Sequence, residues 1–119
     1  GKFPLPTIVA TAPGRDDDPN QLNNLGASFL FVVETAATDM DILTDGTDKF
    51  VGGIYTGVNN ATGKTFISGA SNDVVTLNGS TKGGLAGSII RVTAIASAKY
   101  AIEGITLGSG TLVTPFADA

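Results

Sequence analysis

The stretch "SIIRVTAIASAKYAIEGI", Ser88 to Ile105, decides how the rest of the chain is read. It holds two runs rich in β-branched and aromatic residues, Ser88 to Ala96 and Lys99 to Ile105, separated only by a tight turn. That is the pattern of a β-hairpin. In the first run Ile90, Val92, Ala94 and Ala96 share one face, while Ile89, Arg91, Thr93 and Ile95 share the other, and neither face is clearly the wet one. A one-residue slip in register would exchange the two sets.

Working outward, the same period recurs. "SFLFVVET" (28–35) is a continuous apolar run, as expected of a strand buried on both faces. "MDILTDG" and "KFVGGIYTG" predict two strands around the turn Asp45-Gly46-Thr47-Asp48, and the Gly52-Gly53 pair predicts a bulge or a close backbone approach. "KTFISG" and "DVVTLNG" each end on glycine. Short strands at spacings near ten residues, without helical periodicity, predict an all-β fold, a small antiparallel β-sandwich or β-barrel. Its core is expected to contain Phe29, Phe31, Val33, Phe50, Ile54, Phe66, Val75, Leu77, Ile90, Val92, Tyr100 and Ile102. Asp18-Pro19-Asn20 could start one helical turn through Leu25.

Residues 1–14 carry Pro4, Pro6 and Pro13 around "TIVAT", which favours an extended N-terminal arm. Residues 108–119 form a glycine-rich and apolar C-terminal arm, leaving 15–107 as the β-core. Such arms order most readily by adding to a neighbour. Phe3, Leu5, Ile8 and Val9 at one end, and Leu112, Val113 and Phe116 at the other, are therefore the expected partner-binding residues.

Composition excludes several functions. The 119 residues suit one domain. The chain has no cysteine and no histidine, which removes disulfides, thiol nucleophiles, zinc sites and the usual triads. A net charge of −4 with scattered basic residues argues against nucleic acid. No apolar run approaches the roughly 20 residues of a membrane-spanning helix, and "GKFPLPTIVATAP" lacks the apolar region of a secretory signal.

The remaining candidates for chemistry each have a plainer reading. Asp39, Asp41, Asp45 and Asp48 alternate around a turn, but they miss the EF-hand spacing, and Asp hydrogen-bonding its own backbone is the default. "GVNNATGKT" (57–65) has the wrong spacing for a phosphate loop and is expected to be a hairpin loop. Glu34 and Glu103 could flank a glycosidic bond only if the fold joined them. "DDD" (16–18) reads as a charged loop or a latch for a basic partner. No catalytic activity and no cofactor are expected.

The ending "GSIIRVTAIASAKYAIEGITLGSGTLVTPFADA" resembles the C-terminal ending common among structural proteins of tailed bacteriophage particles, with Tyr100 standing where an aromatic, more usually Trp, follows the turn. "FVVETAATDMDILTDG" and "DVVTLNG" also resemble parts of β-rich decoration and head-fibre modules, so the likeness covers residues 28–119. The resemblance implies a capsid decoration or cement protein on the virion surface, often trimeric, whose partner is the major capsid protein. A tail-fibre or receptor-binding module is the alternative, and it should expose clustered aromatics for sugar stacking.

Overall fold

The computed structural model describes residues 1–10 and 23–118. These residues form nine strands and no helix: β1 (Lys2–Pro4), β2 (Ser28–Val32), β3 (Met40–Leu43), β4 (Lys49–Val58), β5 (Ala61–Ile67), β6 (Val74–Leu77), β7 (Ile89–Ala96), β8 (Lys99–Gly108) and β9 (Phe116–Ala117). The all-β expectation holds. The helical turn from Asp18 and the acidic run 16–18 lie largely or wholly outside the described residues. No helix among the described residues is long and apolar enough to cross a membrane.

The strands divide into a four-stranded sheet, β1-β3-β6-β9, and a five-stranded sheet, β2-β7-β8-β4-β5. Both are open, with β1, β9, β2 and β5 at the edges, so there is no closed barrel. Nor are they purely antiparallel. β1 runs parallel to β3, and β4 runs parallel to β8 over ten paired positions from Lys49↔Lys99 to Val58↔Gly108. The reason is topological: β7 and β8 form a hairpin through Ser97-Ala98, and β8 then enters beside β4 instead of extending the meander.

One buried cluster draws on both sheets. Every residue expected in the core belongs to it or packs against it, with Phe29, Phe31 and Phe66 half-buried and the other nine buried. The hairpin register also holds, since Ile90, Val92 and Ala94 point inward. Four members were not anticipated: Ile42, Ala94, and, from the terminal segments, Leu5 and Phe116. A corrected element is "SFLFVVET". It becomes an edge strand whose exposure alternates, with Phe29 and Phe31 turned inward and Leu30 and Val32 turned out. An unbroken apolar run reads as doubly buried only if a second layer covers its outer side, and no described segment does.

Within this core Thr56 and Thr106, opposite one another on β4 and β8, are fully buried and share a hydroxyl hydrogen bond of 2.8 Å. Replacing Thr106 alone with valine leaves the Thr56 hydroxyl dry and unpaired, at an expected cost of about 1–3 kcal/mol. The double change to valine should recover most of that loss. Urea unfolding of the two variants beside the parent chain measures both.

Candidate functional site

The terminal residues expected to bind partners are divided by the fold. Leu5 is buried and its N–H donates to Leu43 O at 2.7 Å. Ile8 is half-buried and donates its N–H to the Asp48 carboxylate at 2.9 Å, while the half-buried Val9 donates to Asn24 Oδ1 at 2.8 Å. At the other end Leu112 and Phe116 are buried. Phe116 pairs with Val75 through β9 and lies against Phe50, with ring centroids 6.5 Å apart. Phe3 and Val113 remain exposed, and they sit on different elements: Phe3 stands edge-on to Phe31 at 5.9 Å, whereas the Val113 N–H donates to Thr81 O at 2.9 Å. Both termini thus complete the chain's own four-stranded sheet.

Tyr100 locks the N-terminal segment, because its buried hydroxyl donates to Pro6 O. Burial raises the pKa of this hydroxyl, and the Asp48 and Asp45 carboxylates add to the effect. The folded state therefore holds the proton more tightly than the unfolded chain. The associated stability is complete below pH of about 10 and is lost as pH rises through the raised folded value. Tyr100→Phe is expected to cost about 1–2 kcal/mol at neutral pH and to flatten the alkaline limb of a melting-temperature profile.

The acidic turn is similarly occupied. Asp45 Oδ1 accepts the N–H groups of Asp48 at 3.0 Å and Thr47 at 2.9 Å, and Oδ2 accepts the Thr7 hydroxyl at 3.0 Å. The Asp48 bond first, then the others, lower its pKa against a partial opposing effect of burial. Asp48 is buried and holds Ile8, and Asp73 pairs with Lys49 at 2.9 Å. Among the described residues no cluster of three or more His, Cys, Asp or Glu could hold a metal ion. Glu34 and Glu103 line different hollows. Residues 57–65 span the β4–β5 hairpin, which turns at Asn59-Asn60.

What the chain does present is the outward face of the five-stranded sheet. Strand pairing arranges this face in rows. Val32, Ile89, Ile105 and Tyr55 lie side by side across β2, β7, β8 and β4, and the next row runs Leu30, Arg91, Glu103, Gly53, Ile67. Leu30, Val32, Ile105 and Ile67 are 54%, 58%, 60% and 78% exposed. Gly53 carries no side chain, so a shallow hollow of about 530 Å³ opens there, bordered by Leu30, Tyr55, Ile89 and Ile105 and by the charged pair Arg91 and Glu103.

Sequence reading missed this face, although the signal was present in the ambiguity of Ile89, Arg91, Thr93 and Ile95. Exposed aliphatic residues grouped side by side in this way point to an interaction site. Comparison with known proteins finds no family model, curated protein or solved structure that matches the chain, so its surfaces carry the functional argument.

Proposed function

We propose that this chain is a non-enzymatic virion structural protein, a small β-sandwich with terminal segments folded onto it, that decorates a phage capsid by docking on the lattice of the major capsid protein as a homo-oligomer. The observation that carries the reading of an assembling chain is the outward sheet face, where Leu30, Val32, Ile89, Ile105, Tyr55 and Ile67 are exposed together. A chain with this face needs a protein surface to cover it. The resemblance of residues 28–119 to phage decoration modules supplies the kind of assembly, and implies a trimer. The character of the face favours decoration over a receptor-binding module: it is mainly aliphatic, and of the exposed aromatics Tyr55 lies on it while Phe3 belongs to the other sheet. Sugar stacking needs aromatic rings grouped together.

The test is sedimentation of purified chain with undecorated capsids. Saturable binding and a raised temperature of shell disruption are expected. Failure to sediment with any capsid, together with binding to host-cell glycans, would transfer the chain to the receptor-binding class.

A further inference from the structure

We infer that the outward face of the five-stranded sheet is a self-complementary interface, covered by the same face of a second copy of this chain across a two-fold axis. The inference goes beyond the capsid reading: it gives this face to a second copy instead of the capsid, with a dimer in place of the trimer that the resemblance implies. Its geometry comes from the register alone.

Along the row Leu30, Arg91, Glu103, Gly53 the four strands follow the order β2-β7-β8-β4. A two-fold axis parallel to the strands and midway between β7 and β8 reverses that order on the facing copy. Arg91 of one copy then lies over Glu103 of the other, and Glu103 over Arg91. Leu30 of one copy lies over the Gly53 hollow of the other. In the next row Ile89 meets Ile105, and Val32 meets Tyr55. Opposite charges, a knob and a hole, and two apolar pairs all match under one operation, as an isologous interface requires. Stacked sheets tolerate a mutual rotation of about 30°, which leaves these pairs within side-chain reach.

Charge supports the same occupant. Arg91 and Glu103 are exposed on adjacent strands, and neither makes an ion pair or side-chain hydrogen bond with a described residue. Each is available to a partner. The four strands that face each other, at about 4.8 Å spacing and with about seven residues at roughly 3.3 Å rise, give a footprint on the order of 440 Å², with β5 outside the overlap. That is smaller than the roughly 800 Å² per partner of a standard stable interface, so the pairing is expected to be concentration-dependent. A three-fold ring would split the face between two neighbours and separate these matched pairs.

Sedimentation equilibrium of the full chain across a dilution series tests the pairing. The expected species has twice the 12.0 kDa chain mass. Arg91→Glu and Glu103→Arg should each weaken pairing by about 100-fold or more, because like charges then face each other. An equimolar mixture of the two variants should pair again as a heterodimer, since every facing charge is then opposite. The double variant R91E/E103R should pair with itself. Far-ultraviolet spectra and melting curves establish that each variant is folded; if a single variant is not, the double variant and Ile105→Lys decide, the first expected to pair and the second to be monomeric. A monomeric or trimeric parent chain, or a mixture that stays monomeric, overturns the inference. Dimers that ignore capsids would leave it standing and remove the capsid reading. Monomers that bind capsids would do the reverse.

Discussion

Phe116→Ala is expected to lower the stability of the folded chain by about 3–5 kcal/mol, the usual loss when a buried phenylalanine is cut to a methyl group. Phe116 is 6% exposed, lies against the fully buried Phe50, and joins β9 to β6 opposite Val75. Its removal leaves a cavity under the four-stranded sheet that the short strand β9 cannot close by itself. The flanking contacts are polar and exposed, with Asp118 accepting from Ser71 Oγ and Asn72 Nδ2. They hold the end of the chain without replacing the lost apolar contact. Against a total stability of about 5–15 kcal/mol, this single change would leave a marginal fold. Val113→Ala, on the same segment but exposed, should shift stability by no more than about 0.5 kcal/mol. Denaturant midpoints for both variants measure the contrast. A Phe116→Ala chain of parental stability that no longer binds capsids would instead make the tail an external anchor.

That contrast shows where the sequence was legible. The period-two runs identified the core of the five-stranded sheet residue by residue, because alternation forces Ile90, Val92, Tyr100 and Ile102 to one side whatever the neighbours do. The terminal segments carry no such signal. Leu5 sits between two prolines and Phe116 follows Pro115, so both look like arms in isolation. They become core residues only because β3 and β6 leave the edges to which β1 and β9 add. The parallel β4–β8 pairing was hidden for the same reason: it joins positions fifty apart in sequence, such as Phe50 and Tyr100, and nothing local encodes it. The outward face was half legible. Ile89, Arg91, Thr93 and Ile95 share one side of a strand on which neither face is clearly the wet one. Only the cross-strand register adds Leu30, Val32, Ile105 and Tyr55 beside them and turns that ambiguity into a continuous patch.

The sequence also marked Gly52, and there the structure predicts a loss comparable to that at Phe116. Gly52 has φ +138°, a conformation that side-chain-bearing residues rarely adopt, and a β-carbon at this position would lie 2.1 Å from Ile102 O. Ile102 is its partner in the parallel β4–β8 ladder, at the centre of the larger sheet. The approach is held from the other side as well: Ser68 N–H donates to Gly52 O at 2.9 Å, and the Ser68 hydroxyl accepts the Gly52 N–H at 3.1 Å. Relaxing the backbone toward β5 would compress these bonds, which are already at ordinary hydrogen-bond length. Gly52→Ala carries a conformational cost of about 1–3 kcal/mol and a packing cost of similar size, so an overall loss of about 3–5 kcal/mol is expected. Gly46→Ala separates the two contributions, because Gly46 also has positive φ, +92°, but a β-carbon there meets nothing within 4 Å. It should lose only the conformational part, about 1–2 kcal/mol. Equal losses at the two positions in urea unfolding would mean that β4 and β8 can separate locally around Ile102. A much larger loss at Gly52 would mean that the close approach of these two parallel strands is a fixed feature of the sheet whose outer face is proposed to pair.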